Sequence, residues 1–330
     1  ARGQDISGFS VNGTNGHLRY IGTFGSGPRP ILRTAGQTGS MFEFTGTSAP
    51  YLTITGCDCR GDWDAATETG YPSANPLATS VSSLLHLTVW DCRFDGFSLL
   101  LLALRNTTAW TASFGHTEIT NWQDYGMFIA TSPLAKIAFS GCDVAQNTQA
   151  LNDYAGNRVG LMNQQGPIRA PGYSAFYIGA TSFLSRGGWS GGVDQSCLRL
   201  NSDGLQGIST VVDRTVIEGG ANPVAMTGTG ASLVEKPGNY LFDKTLMISG
   251  GGKSSGLAKA HFGGTTFRNG LFVVTDAPNK AGFSNSECVN LTPDQPDAGN
   301  YAAEVKLYSS TSLNLRSGAS DVGDNPRLHN

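Results

Sequence analysis

An all-β solenoid, built of short coils stacked in parallel, is the fold this sequence predicts. Three observations predict it: a composition rich in Gly and poor in charge, a strand-like alternation of period two, and one short pattern that recurs along the chain. Of 330 residues, 44 are Gly, 14 % are charged and 39 % are apolar, against usual shares of about 7 % Gly and roughly 25 % charged. A helical bundle needs far more Glu, Lys and Ala, and a disordered chain has fewer aromatics than the 9 % present here. A net charge of −3 without a Lys/Arg cluster gives no electrostatic basis for binding nucleic acid. The longest apolar stretch, 99–104, has six residues, far below the roughly 20 of a membrane span. The start at Ala1-Arg2-Gly3 reads as a mature or excised segment.

The recurring pattern is apolar, x, apolar, two small or polar residues, an anchor that is Cys or Thr, x, apolar. Its members, in order, are Leu52-Thr53-Ile54 with Cys57-Asp58-Cys59, then Leu87-Thr88-Val89 with Cys92-Arg93-Phe94, and Ala112-Ser113-Phe114 with Thr117-Glu118-Ile119. Ile137-Ala138-Phe139 with Cys142-Asp143-Val144, Phe176-Tyr177-Ile178 with Thr181-Ser182-Phe183 and Thr210-Val211-Val212 with Thr215-Val216-Ile217 follow. Tyr240-Leu241-Phe242 with Thr245-Leu246-Met247 and Ala260-His261-Phe262 with Thr265-Thr266-Phe267 complete the series. All residues three before and two after an anchor are apolar, which predicts inward rows on both sides of a two-residue corner. Anchors fall 20 to 39 residues apart, so a minimal coil carries corner loops of variable length, the longest near 60–83 and 146–175. Each coil buries its inward row only against its neighbours.

This pattern resembles the right-handed parallel β-helix of the pectin-lyase-like superfamily over about residues 16–270. The resemblance implies a single-stranded right-handed parallel β-helix spanning 1–270, with 1–15 a capping or truncated first coil. Residues 271–330, where the pattern fades and Pro278, Pro293, Pro296 and Pro326 occur, are expected to form final irregular coils and a tail along the helix. Superfamily members include polysaccharide lyases, glycoside hydrolases and phage tailspike depolymerases, so the resemblance implies a polysaccharide substrate. It carries no diagnostic catalytic signature.

Cys57, Cys92 and Cys142 share the anchor column with threonines and read as small, buried core residues. A disulfide between adjacent coils stays sterically open. The six cysteines include no CxxC pair and no His at zinc spacing, so no metal site is expected from them.

The repeat dictates which side chains point out and stack. Residues after the anchor run Asp58, Arg93, Glu118, Asp143; those before it include Asp91 and His116; the third after it include Arg60 and Asp95. This surface concentrates charge in a charge-poor chain. Glu118, Asp143, His116, Arg93 and Asp95 are the expected catalytic residues. In a hydrolase, Glu118 and Asp143 would serve as the paired carboxyls, about 5 Å apart for retention or about 6.5–9.5 Å for inversion, with mutual repulsion raising one pKa. In a lyase, Arg93 would neutralise a uronate and His116 would take the proton, with Tyr154 and Arg158 an alternative pair. No cofactor is expected, although the carboxylates leave Ca²⁺ open. The plain structural alternative is a solvated strand whose charges pair across coils.

Asp58, Arg60, Trp63, Asp91, Trp122, Tyr125, Tyr154 and Arg158, on the same surface and its loops, are the expected substrate contacts. Farther along, outward positions turn apolar at Val216 and Leu246, a face that a homotrimer would cover. The function expected is an extracellular, secreted, surface or virion-associated polysaccharide lyase or glycoside hydrolase. A non-catalytic glycan-binding or tailspike-type fibre module, or a structural surface protein, is the alternative.

Overall fold

The computed structural model describes residues 5–7, 11–13, 18–34, 41–44, 51–64, 76–79, 85–97, 102–104, 110–121, 128–130, 135–146, 163–165, 174–179, 182–185, 196–201, 208–219, 222–227, 239–248, 258–260, 264–274, 287–291, 304–314 and 327–328. Among these residues the chain is all-β, with strands in four parallel sheets and no helix. No helix there is long and apolar enough to cross a membrane.

Consecutive strands belong to different sheets, and neighbours within a sheet are three places apart in chain order. The first sheet has eleven strands, from Asp5–Ser7 through Ile31–Arg33, Asp58–Arg60, Arg93–Asp95, Glu118–Thr120 and Asp143–Gln146 to Thr311–Asn314. The second has ten, from Leu18–Gly22 through Tyr51–Thr55, Leu85–Trp90, Trp110–Gly115 and Ala135–Ser140 to Glu304–Tyr308. A third sheet of six runs from Val11–Gly13 to Asn163–Gln165, and the fourth, of five, runs from Ser196–Asn201 to Arg327–Leu328. Asn163–Gln165 lies against Ser196–Asn201, where the third sheet meets the fourth.

Sequence explains the corner between the second and first sheets. Its first residue is left-handed: Gly56, Asp91, His116, Gly141, Arg214, Lys244, Asn269 and Ser309 have φ between 46° and 67°. For a non-Gly residue that conformation costs about 1–2 kcal/mol, and backbone bonds to the next strand offset it. Asp91 N donates to Gly115 O at 3.0 Å, and His116 N to Ser140 O at 3.0 Å. The second corner residue, the anchor, turns inward, and at Cys57, Cys92, Thr117, Cys142 and Thr215 it donates to the carbonyl two residues before it, whereas the buried Thr245 hydroxyl has no partner. Thr117 Oγ1 reaches Gly115 O at 2.9 Å, Thr215 Oγ1 reaches Asp213 O at 3.0 Å, and Cys92 Sγ reaches Trp90 O at 3.3 Å. This shared bond is why Cys and Thr interchange there.

The inward rows form the core. Ile54, Val89, Phe114, Phe139, Val212, Phe242 and Phe267 on one side of the corner, and Leu32, Cys59, Phe94, Ile119, Val144, Ile217, Met247 and Phe272 on the other, are at most 4 % exposed. Phe114 and Phe139 stack at 4.8 Å, and Phe242 and Phe267 at 5.0 Å.

One anchor needs correcting. Thr265 pairs with Tyr240 in the second sheet, so the corner of that repeat is Asn269-Gly270, where Leu271 N bonds Thr245 O and Thr311 N bonds Gly270 O. A buried Thr also fits the inward row of a strand, and Gly270 offers no side chain to mark the turn. Strands Leu271–Val274, Glu287–Leu291, Glu304–Tyr308 and Thr311–Asn314 extend the sheets beyond residue 270, with a further corner at Ser309-Ser310.

Cys57, Cys59, Cys92 and Cys142 are buried free thiols. Burial pushes Cys57 up to about 11 and Cys92 to about 12. A raised folded pKa contributes stability that is complete below the ordinary thiol value and is lost as pH rises through the folded one. We therefore expect the thermal midpoint to fall between about pH 9 and 12, and Cys92→Thr, which restores the other anchor type, to flatten that fall. An unchanged alkaline profile in calorimetry of the variant would contradict this.

Candidate functional site

The first sheet's register brings the expected ladder together. Asp58 pairs with Arg93, Arg93 with Glu118, and Glu118 with Asp143, so the four side chains occupy adjacent strands on one row. Just before them stand the corner residues Gly56, Asp91, His116 and Gly141.

Arg29, a residue that sequence reasoning missed, ties this corner together. It stands two residues before Ile31, as Gly56 stands two before Asp58, which Ile31 faces in register. The Arg29 guanidinium reaches Asp91 Oδ1 at 2.5 Å and Glu118 Oε1 at 3.5 Å. Burial works to lower the Arg29 pKa, but the hydrogen bond to Asp91 and the charges of Asp91 and Glu118 outweigh it and hold the pKa above its ordinary value.

Arg93 approaches Glu118 from the other side, with Nε 3.8 Å from Oε2, while its NH2 meets Asp95 Oδ2 at 3.2 Å. That Nε is buried without a hydrogen-bond partner. Asp95 also accepts from Thr120 Oγ1 and Asn121 Nδ2, both at 2.8 Å. Three donors therefore converge on this carboxylate and tie Arg93, Thr120 and Asn121 to it. Arg60 holds Asp58 through two bonds, at 3.1 and 2.8 Å, and Asp58 is largely buried. Glu118 is half-exposed and Asp143 exposed.

Trp63 corrects the sequence expectation: it is buried, not a groove-lining aromatic. Its backbone N–H bonds Gly96 O at 2.8 Å, and the close approach of Gly61 to Gly96 O leaves no room for a side chain at 61. Trp122, Tyr125, Tyr154 and Arg158 lie outside the described residues.

Sequence reasoning also missed Trp90, which is 48 % exposed and directly precedes Asp91. Its ring lies over Gly115, where a Cβ would sit 2.2 Å from the indole. The His116 ring meets Trp90 edge-on at 4.7 Å and lies in turn above Gly141. The legible signal was a glycine one strand beyond an outward aromatic. The exposed Trp90 and His116 rings thus border the ion-paired ladder.

A second ion-paired cluster lies farther along. Arg214 meets Asp213 at 2.7 Å, and Arg268 meets Asp243 at 2.6 Å. Hydrogen bonds from Arg268 and Asn269 hold the Asp243 carboxyl down at about 2. Val216, an expected oligomer contact, is exposed and pairs with Leu246, which pairs with Leu271. Among the described residues no group of three or more His, Cys, Asp or Glu side chains is arranged to hold a metal ion.

No protein-family model matches the chain, and no curated protein matches it. Among solved structures, ORF18 of Geobacillus virus E2 is similar with a TM-score of 0.43 and 11 % identity, over 97 % of this chain and 55 % of that one. The chain spans about half the length of that protein.

Gly115→Ala should lift the Trp90 indole from its seat. The expected outcome is altered Trp90 fluorescence, read as the difference from Trp90→Phe, with the fold retained in circular dichroism. An unshifted Trp90 emission would show that the ring does not rest on residue 115.

Proposed function

We propose that the sheets close into a right-handed parallel β-helix of the pectin-lyase-like kind, and that its corner face binds an extended polysaccharide and cleaves it at Glu118 and Asp143. The observation that supports this reading is the junction of exposed Trp90 with the in-register row of Arg93, Glu118 and Asp143. Aromatic faces take the apolar side of sugar rings, while carboxylates and guanidinium groups take hydroxyls and acidic substituents.

Glu118 and Asp143 stand on neighbouring strands, whose spacing is about 4.8 Å. A separation near 5 Å suits a retaining hydrolase, in which one carboxyl protonates the leaving oxygen and the other attacks the anomeric carbon. The same corner serves elimination from a uronate if Arg93 neutralises the sugar carboxylate and His116 takes the adjacent proton. The electron pair then forms a C=C bond as the glycosidic C–O bond breaks, and its oxygen leaves with the other chain, protonated from solvent. An extracellular, surface or virion setting goes with such a substrate.

A screen over acidic and neutral polysaccharides, following unsaturated ends by ultraviolet absorbance and reducing ends in parallel, separates the two chemistries. On the cleaved polymer, Glu118→Gln and Asp143→Asn should each lower turnover by about 100-fold or more without moving the thermal midpoint, and Trp90→Ala should weaken retention on the polysaccharide. Retention without cleavage of any polymer would replace this reading with a non-catalytic binding module. Full activity in both carboxyl variants would remove them from the site.

A further inference from the structure

We propose that the outward face of the second sheet, between the Tyr51–His86 ring stack and Trp90, is a platform for uncharged glycan chains that adjoins the corner and shares Trp90 with it. This binding does not depend on the cleavage proposed for the corner.

Tyr51 and His86 are register partners in adjacent strands, and their rings stack at 4.4 Å with planes 13° apart. Tyr51 is 45 % exposed. The His86 ring is fixed from its other side by Nδ1, 2.8 Å from Thr111 Oγ1 on the next strand. Four residues along the same strand stands Trp90, seated on Gly115 and braced by His116. At about 3.3 Å per residue, the two aromatic rails lie about 13 Å apart.

Between the rails the face carries hydroxyls. Thr53, Thr88 and Ser113 are partners in register on three successive strands, repeating every ~4.8 Å, and Thr88 and Ser113 are exposed. Exposed Tyr20 precedes Thr53 in this row.

Charge selects the ligand class. The strands Tyr51–Thr55, Leu85–Trp90 and Trp110–Gly115 contain no Asp, Glu, Lys or Arg. An anionic polymer laid on these three strands would lose hydration and meet no Lys or Arg on them; Lys136 stands one strand farther on, in register with Thr111. A neutral pyranose chain would set its C–H faces against the rails and exchange hydroxyl hydrogen bonds with the floor. The rings are already held by strand neighbours, so binding orders little that was free.

The test is affinity electrophoresis of the full chain in gels containing glucomannan, galactan or mixed-linkage β-glucan, with pectate as the acidic comparison. Retardation is expected in at least one neutral gel. Tyr51→Ala and His86→Ala should each weaken it by about three- to tenfold. Thr88→Arg changes only an exposed floor position and should also weaken it, so the result does not hang on the ring variants folding. Retardation in no neutral gel, retardation in pectate alone, or wild-type retardation in all three face variants would overturn the proposal. Trp90 is left intact because it serves both sites, so failure of the corner chemistry and failure of the platform give different results.

Discussion

The corner between the second and first sheets is the constraint on which the remaining structure rests. Two residues must reverse the inward–outward alternation without breaking the parallel hydrogen-bond ladder. The chain does this with one left-handed residue and one inward anchor, and both remain in the ladder. Arg93 N bonds Cys57 O, Glu118 N bonds Cys92 O, and Asp143 N bonds Thr117 O. These bonds place Asp58, Arg93, Glu118 and Asp143 side by side. A one-residue slip here would turn Glu118 inward and Ile119 outward.

Because the bonds that hold the register are mostly backbone bonds, side-chain identity at the corner is loosely constrained, and this sets what could be read from sequence. The repeats with Cys or Thr anchors were legible because a small inward side chain marks the turn, in most of them with its own bond to the carbonyl two residues back. Gly270 has no side chain to add such a bond, so the pattern places that repeat's anchor at Thr265 instead. Ser310, which donates to Tyr308 O at 3.2 Å, does the work of a Thr under a name the pattern did not include. The charged row was legible for the same reason the core was, since period-two alternation decides both. Trp63 was not legible: its burial goes with contacts to the next strand's end, where Gly61 meets the Gly96 carbonyl and Trp63 N bonds it. Nor was Arg29, whose guanidinium acts two strands away from its own backbone.

Stability and site separate cleanly in this architecture. The inward rows are dry and apolar, and large-to-small changes there typically cost a few kcal/mol. The outward ion pairs are partly solvated, in a class worth about 0–1 kcal/mol each. Arg29 bridging Asp91 and Glu118 therefore contributes little to holding the strands, which the backbone ladder already does. What it does determine is where Glu118 points, and that is a matter of chemistry at the surface.

Backbone strain often marks functional positions, and His116 and Asp91 are both left-handed. Here strain cannot carry that inference. Arg214, Lys244, Asn269 and Ser309 hold the same conformation at the same place in later repeats, so the strain belongs to the corner and not to the site. The later repeats also have ion pairs, at Asp213 and Asp243. The later repeats place one exposed ring, Tyr308, beside the charged Arg268, whereas the segment from Tyr51 to His116 gathers several rings that rest on one another or on a glycine: Tyr51 on His86, Trp90 on Gly115, His116 against Trp90. Water gains nothing from these rings, and the fold does not bury them, so they stand as the surface feature that strand architecture alone leaves unexplained.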